Sequence, residues 1–406
     1  MKYLLTLALL LSGIVCFSQN SITRFSLQSY SPTSDLTDLN QLDTIFKAKR
    51  LIGIGEATHG THEFTLMRHR IFKYLAEKHN YNTFFIEADY GACQRINRYI
   101  NGEEDSVLAA FNEIKYWAWH TTEMLDFIEW SRIYNQSNSN KISFVGCDMN
   151  SIDDDYMELK RFLPDSIIKQ FNVELVLNEL NNSSNDSVIN KRFNDWMDLK
   201  SQLLNYPVFA NNPSKVTHIK AIEQWFEYKR QKTFNYNHRD SCMAVNMLDY
   251  LDKKPEAKGV YFAHNHHVSK TIYSHKKRYS KKATGTFLHE QLDSNYYSIA
   301  STSSDLTFNA FSCINDENIF DAYHYIVKSK NYVESIFKSY QDSICFVSAN
   351  SIKKIDKYSM VLIGSVYKQY CNEYKSSTSI QLQEKMFDGF IYIRKTKETD
   401  VIPFKR

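Results

Sequence analysis

The chain has 406 residues, of which 43% are hydrophobic and 23% charged, a composition typical of a globular protein with one large or two ordinary domains. Its formal net charge of +3 does not indicate a nucleic-acid or membrane-surface binding protein. With 11 glycines and 6 prolines, it is neither fibrous nor rich in linkers.

The first residues predict a secretory signal peptide that ends at residue 18. Lys2 precedes an apolar run over residues 3–15, and the small residues Cys16 and Ser18 follow. The run is too short for a stable membrane span, so we expect an exported protein, periplasmic or secreted. A buried N-terminal helix is one alternative. A lipid anchor on Cys16 is another, although Val15 is bulkier than the residue expected before a lipidated cysteine.

Cleavage leaves six cysteines, at positions 93, 147, 242, 313, 345 and 371. An even number permits disulfides in an oxidising compartment. The sequence has no C-x-x-C spacing, which gives no support for a zinc ribbon or a redox pair. Cys147 and Cys345 fall in apolar, strand-like runs, and buried free thiols are the simpler interpretation of both.

Short apolar runs predict buried strands. They fall near residues 50–55, 82–88, 141–148, 258–265 and 295–301, and later in "SICFVSA", "YSMVLIGSV" and "DGFIYIRK". Between them, apolar residues repeat at helical spacing, at Phe64, Met67, Ile71 and Leu75, and at Met124, Phe127, Ile128 and Ile133. Strands that alternate with helices predict an α/β fold with a mostly parallel central sheet flanked by helices.

Residues 155–240 contain no strand-like run, and an asparagine- and serine-rich centre separates helical patterns there. We therefore divide the chain into a signal peptide (1–18), an α/β core in two parts (19–154 and 241–406) and a helical insertion (155–240).

Polar side chains follow four of the predicted strands. Glu56 and His59 follow the first, Glu87 ends the second, Asp148 ends the third, and "HNHH" at 264–267 ends the fourth. Because ligands bind at the carboxyl ends of parallel strands, these groups are expected to meet at one edge of the sheet. A lone polar residue there is usually a loop residue or a helix cap, but four strands ending this way favour a site.

These residue types suit hydrolysis by an activated water. A histidine serves as general base near neutral pH, a carboxylate fixes its tautomer, and a second histidine with an arginine stabilises an oxyanion. A serine nucleophile is less favoured, because the chain has no G-x-S-x-G motif. A metal site remains an alternative, with His59 and His62, "HNHH" and Glu87 or Asp148 as ligands.

The motifs "GEATHGTHEF" and "AHNHH" together resemble the erythromycin esterase family. Supporting stretches are "FVGCDMNS", "RDSCMAVNML" and "FDGFIYIRKT", so the resemblance covers most of the mature chain. It implies a carboxylic ester hydrolase of the kind that opens the lactone of macrolide antibiotics, with a small-molecule ester as its partner. It also favours a mechanism without metal or other cofactor.

Carried over by position, the resemblance implies that His59 is the general base that activates water. The other residues expected to act in catalysis are Glu56, Glu87, His264 and Arg68. Those expected to contact the substrate are His267, Asp148, His62 and Arg239. His62 and His266 depart from the family pattern, and so does the secretion signal.

Two other functions stay open. One is a metal-dependent hydrolase of another envelope ester or peptide, and the other is a non-catalytic binding protein. A macrolide is large and mostly apolar, so its pocket is expected to be a wide cleft. The aromatic side chains of the insertion either form one wall of that cleft or pack the insertion onto the core; they are Trp225, Phe226, Tyr228 and Phe234.

Overall fold

The computed structural model describes residues 24–112, 114, 116–170, 186–210, 212–230, 236–275, 279–314, 317–369 and 378–403. The expected signal peptide lies outside these ranges, as do Phe234 and Cys371. Among the described residues, no helix is both long enough and apolar enough to cross a membrane.

An eight-stranded sheet runs through the described structure. In spatial order its strands are β1 (Arg24–Ser26), β11 (Ile344–Ser348), β15 (Gly389–Ile393), β8 (Tyr296–Thr302), β2 (Leu51–Glu56), β5 (Gly259–His264), β3 (Thr83–Asp89) and β4 (Ser143–Asp148). All neighbours from β15 to β4 are parallel, whereas β1 and β11 pair antiparallel. The prediction of a mostly parallel sheet is confirmed.

Helices cover both faces of this sheet. The α-helices are α1 (Asp43–Phe46), α2 (His62–His79), α3 (Tyr90–Ile100), α4 (Val107–Phe111), α5 (Thr122–Ser137), α6 (Asp153–Phe162), α7 (Asp165–Gln170), α8 (Asp186–Leu204), α9 (Pro207–Ala210), α10 (Pro213–Lys229), α11 (Tyr236–Lys253), α12 (Asn265–Val268), α13 (Thr284–Leu292) and α14 (Val333–Lys338). Short 3-10 helices occupy Thr37–Leu42, Asp293–Asn295, Ala349–Ser351 and Ile355–Lys357.

Alternation along the strands divides the core into two layers. Phe84 and Phe85 are neighbours on β3, and their side chains point to opposite faces of the sheet. Phe84 joins the cluster that includes α2 and α5, whereas Phe85 joins the cluster that includes Met243 and Met247 of α11. Because both faces are covered, the central strands consist of nearly continuous apolar residues.

A third buried cluster lies among α6, α8 and α10. Trp225 and Phe226 of α10 are 4% and 0% exposed, and both belong to this cluster together with Trp196. These two rings therefore pack against other buried side chains and do not form a wall of a cleft. Amphipathic spacing does not distinguish a ring that packs between helices from one that lines a cleft.

An antiparallel ribbon that the sequence did not predict is formed by β9 (Asp305–Ile314) and β10 (Glu317–Ile326), and β13 (Val366–Gln369) extends it. The predicted strand in "YSMVLIGSV" is wrong in length. It divides into β12 (Ser359–Val361) and β13, separated by a turn in which Gly364 has φ of 73°. The short pairs β12–β14 (Ser379–Gln381) and β6–β7 (Tyr273–His275 with Tyr279–Lys281) complete the described strands.

Two further sequence expectations concern buried side chains. Cys147 and Cys345 are buried free thiols, as are Cys93 and Cys242. On α5, the expected stripe is wrong at Ile133, which is 64% exposed. Ile133 follows Ile128 by five residues, which turns it about 140° away from that side chain on a helix with 3.6 residues per turn.

Phe127 of α5 offers a test of this packing. Its ring lies 4.7 Å from that of Phe84 and 5.2 Å from that of Phe144, and the residue is 2% exposed. We expect Phe127→Ala to lower the free energy of unfolding by about 3–5 kcal/mol, because it leaves a cavity between the helix and the sheet. Ile133→Ala is the matched control on the same helix and should change stability by less than about 0.5 kcal/mol. Urea unfolding measures both, and equal losses would contradict the assigned faces of α5.

Candidate active site

The register of the central strands places the candidate residues at one edge of the sheet. Glu56 is the last residue of β2 and lies directly opposite His264, the last residue of β5. Glu87 and Asp148 lie at the same end of β3 and β4. Because these four strands are parallel neighbours, their carboxyl ends bring together residues from four distant parts of the chain.

Glu56 links a histidine to an arginine. Its Oε1 lies 2.7 Å from Nδ1 of His59, and its Oε2 accepts a hydrogen bond from Nη2 of Arg68 at 2.5 Å. Glu56 and Arg68 are fully buried, and Nε of Arg68 also donates to the Phe64 carbonyl. Burial lowers the pKa of Arg68 to about 10, although Glu56 acts in the opposite direction. The arginine therefore keeps its charge at neutral pH and holds Glu56 in place.

His264 lies beside His59, with 5.2 Å between the ring centroids. Its Nε2 lies 3.3 Å from the carbonyl oxygen of Ala57, and since a carbonyl only accepts, this nitrogen carries the proton. Burial holds the pKa of His264 well below its usual range, and the neighbouring His59 and His267 act in the same direction. His264 is thus a neutral imidazole with its lone pair on Nδ1.

Glu87 and Arg239 form a second buried ion-pair group with Asp148. Nη2 of Arg239 donates to Glu87 at 2.8 Å and also to Asp148, and Nε donates to Asp148 at 3.0 Å. The other Glu87 oxygen accepts the backbone N–H of His264 at 3.2 Å. Burial alone would raise the pKa of Glu87, but the charges of His267 and Arg239 hold it well below its usual range. Glu87 is therefore a permanent anion that joins β3 to β5.

His267 lies between two carboxylates. Its Nδ1 lies 2.6 Å from Asp240, and its Nε2 lies 3.3 Å from Glu87. Asp240 is also held by the backbone N–H and the hydroxyl of Thr284, each at 2.7 Å. Burial opposes the charge of His267, but the two carboxylates outweigh it and raise its pKa to about 10. His267 is therefore a cation at neutral pH, with both ring nitrogens engaged.

His62 makes its contact outside this group. It begins α2, and its Nδ1 contacts Glu123 in the first turn of α5. The backbone N–H of Asp400 donates to the same Glu123 oxygen at 3.2 Å. Of the nine sequence-predicted site residues, His62 is thus the one that contacts a carboxylate elsewhere, and the other eight belong to the connected network around Glu56 and Glu87.

Two aromatic residues of the site escaped sequence analysis. Tyr116 and Trp119 precede α5, and their rings lie edge-on to His59 with centroids 6.0 and 5.8 Å away. The indole N–H of Trp119 also donates to the Glu87 carbonyl at 2.9 Å. The sequence feature that could have indicated them is the aromatic stretch "YWAWH" just before α5. This stretch is short and lies in neither a predicted helix nor a predicted strand.

Two groups of side chains place three potential metal ligands within 4.8 Å of one another among the described residues. One comprises Asp240, His266 and His267, and the other comprises His62, Glu123 and Asp400. In the first group a metal would have to displace the proton of His267 that two carboxylates hold, because only neutral imidazole is a ligand.

Comparison with known proteins identifies relatives in sequence and in fold. The family model described as erythromycin esterase matches residues 76–168 and 191–396. Erythromycin esterase type I of Escherichia coli is 24% identical over 304 residues, which make up 66% of this chain and 73% of that protein.

Solved structures share the fold. A crystal structure of a Bacillus cereus protein has a TM-score of 0.78 at 21% identity and covers 94% of this chain and 97% of its own. A histidine variant of the erythromycin esterase EreC, in its open conformation, has a TM-score of 0.72 at 19% identity. The match covers 94% of this chain and all of that one.

The charge on His267 predicts a pH-dependent stability. The folded pKa of about 10 exceeds the unfolded value of about 6.5, so the contribution of the charge is complete below pH 6.5 and is lost as the pH rises through about 10. We expect His267→Gln to lower the free energy of unfolding by about 3–5 kcal/mol at pH 6, because it leaves buried carboxylates without their cation, and by less near pH 10.

The control for this experiment is His79→Gln at the far end of α2. His79 also pairs with a carboxylate, but the Asp43 side chain is 44% exposed, so the loss should stay below about 1 kcal/mol. Denaturant unfolding at both pH values measures these differences. An effect of His267→Gln that does not change between pH 6 and 10 would contradict the assigned charge.

Proposed function

The chain belongs to the erythromycin esterase family, and from this premise we propose that it hydrolyses a carboxylic ester with a water molecule that His59 activates. The family implies esterase activity on macrolide-like substrates. For this chain we propose the lactone of a macrolide such as erythromycin as the substrate.

The observation that carries the proposal is the hydrogen bond between Glu56 and His59. A carboxylate 2.7 Å from Nδ1 holds the neutral ring with its proton on that nitrogen, and this leaves the lone pair on Nε2. Such an arrangement makes a histidine an effective general base and stabilises the imidazolium that follows.

The proton then follows a short path. Nε2 of His59 removes a proton from water as the water oxygen attacks the ester carbonyl carbon. The imidazolium, stabilised by Glu56, returns that proton to the alkoxide as the carbon–oxygen bond breaks. The products are a carboxylic acid and an alcohol, joined in one molecule if the substrate is a lactone.

Other residues of the group have supporting roles in this proposal. Arg68 is fully buried and bound to Glu56, so we assign it a positioning role instead of direct contact with the oxyanion. Neutral His264 directs its Nδ1 lone pair to the attacking water. We propose that the hydroxyl of Tyr116, whose ring lies 6.0 Å from that of His59, donates to the oxyanion.

Glu87, Asp148, Arg239 and His267 supply fixed charges around the reacting groups. Their ion pairs set the position of the His264 backbone through Glu87, and we propose that they orient the substrate. Preorganised charges in a site that excludes water stabilise charge development at little reorganisation cost.

A second candidate function is a metal-dependent hydrolase, favoured by the proximity of Asp240, His266 and His267. In that case a divalent ion would activate the water. We also propose export of the protein, on the basis of the apolar N-terminal run that precedes Ser18.

The direct test is His59→Ala, assayed by mass spectrometry for the water-added product of a panel of macrolides. We expect turnover to fall by about a hundred- to ten-thousandfold, the usual contribution of a general base, while the fold is retained. His79→Ala, at the end of α2 that is remote from His59, is the matched control and should keep full activity.

Retained turnover in His59→Ala would refute the assignment. The same assay after exhaustive chelation separates the two candidate functions. Activity that survives chelation supports water activation by His59, and activity that is lost and then restored by a divalent cation supports the metal-dependent alternative.

A further inference from the structure

The β9–β10 ribbon is attached directly to the loop that carries His59. The backbone N–H of Asn309 on β9 donates to the Gly60 carbonyl at 3.0 Å. A side chain at Gly60 would place its Cβ 2.2 Å from the Asn309 carbonyl oxygen, so glycine is required for this close approach. The N–H of Phe311 also donates to the Ser365 carbonyl at 2.9 Å. The ribbon therefore has a fixed position relative to the catalytic loop.

The two faces of this ribbon have different surroundings. Phe308 and Ala310 of β9 are fully buried, whereas Phe311 is only partly buried. Alternation along the strand turns Asn309 and Phe311 to the opposite face. On that face Phe311 lies directly across from Phe320 of β10, with 5.0 Å between the ring centroids.

Four aromatic rings continue from His59 along this face, and we call them the aromatic wall; they are Tyr116, Trp117, Phe311 and Phe320. Tyr116 lies 6.0 Å from His59 and 6.0 Å from Trp117 between ring centroids. Trp117 lies 4.9 Å from Phe320 and 6.0 Å from Phe311. The aromatic wall thus begins at the general base and ends on β10.

The two ends of the aromatic wall are exposed. Tyr116 is 37% and Phe320 38% exposed, while Trp117 between them is 8% exposed. Exposed aromatic side chains beside a polar site offer apolar area to the apolar part of a ligand.

We propose that the aromatic wall binds the apolar body of the ester substrate while the ester group lies at His59. The inference rests on the proposed function and deepens it, because it selects esters with a large apolar part over small ones. Only a substrate several ring widths long reaches Phe320 from His59. Each aromatic side chain that the substrate contacts adds affinity, because apolar area is removed from water.

The neighbouring residue provides a matched control. Ile319 is 39% exposed, almost the same as Phe320, but it precedes Phe320 on the strand and therefore points to the other face of the ribbon. Phe320→Ser and Ile319→Ser each replace one exposed apolar side chain on β10, so a general effect on the ribbon would be common to both.

The experiment compares nitrophenyl decanoate with nitrophenyl acetate for the wild type and both variants. We expect Phe320→Ser to lower the ratio of kcat/KM for decanoate to that for acetate by about tenfold, mainly through KM, because less apolar area is covered. Ile319→Ser should leave that ratio unchanged. Hydrolysis of both esters with equal ratios in the two variants would overturn the inference and leave the proposed function standing.

Calorimetric binding of nitrophenyl decanamide gives a second readout that needs no turnover. If neither ester is hydrolysed, the binding data alone decide the inference, and the macrolide assay decides the proposed function. A weaker affinity in Phe320→Ser than in Ile319→Ser supports the aromatic wall, whereas equal affinities overturn it.

Discussion

The site depends on the hydrogen bond by which the buried carboxylate of Glu56 holds His59. An isolated carboxylate without water is strongly unfavourable, and here the guanidinium of Arg68 supplies the opposite charge at 2.5 Å. Because Arg68 occupies one oxygen of Glu56, the other oxygen is available to Nδ1 of His59. These two hydrogen bonds, from Arg68 to Glu56 and between Glu56 and His59, determine which ring nitrogen of His59 is bound to the carboxylate.

The buried ion pairs around Glu87 keep the surroundings of the hydrogen-bonded Arg68, Glu56 and His59 constant. Glu87 accepts from Arg239 and from the backbone of His264, so two strands and a helix are held by the same carboxylate. The pKa of His267 is raised to about 10 and that of His264 is lowered. One histidine thus remains charged and its near neighbour remains neutral across the physiological range, and fixed charges of this kind are the basis of electrostatic preorganisation.

Much of this arrangement is visible in the sequence, because buried parallel strands are apolar runs and the residues after them share one edge of the sheet. That reasoning located Glu56, Glu87, Asp148 and His264. It did not locate Tyr116 or the β9–β10 ribbon, since a loop before a helix has no period and the strands of the ribbon mix polar and apolar residues. It also included His62 in the site, but the His62 side chain contacts Glu123 on α5 instead. His62 follows His59 by three residues, and this separation does not show where its side chain points.

The central claim is the tautomer of His59, and nitrogen-15 NMR of the imidazole measures it directly. In the wild type at neutral pH, we expect a neutral ring with the proton on Nδ1 and the lone pair on Nε2. In Glu56→Gln this preference should weaken, with loss of ester hydrolysis. A wild-type ring protonated on Nε2 alone would contradict this assignment, because the lone pair would then lie on Nδ1 and Nε2 could not accept a proton from water.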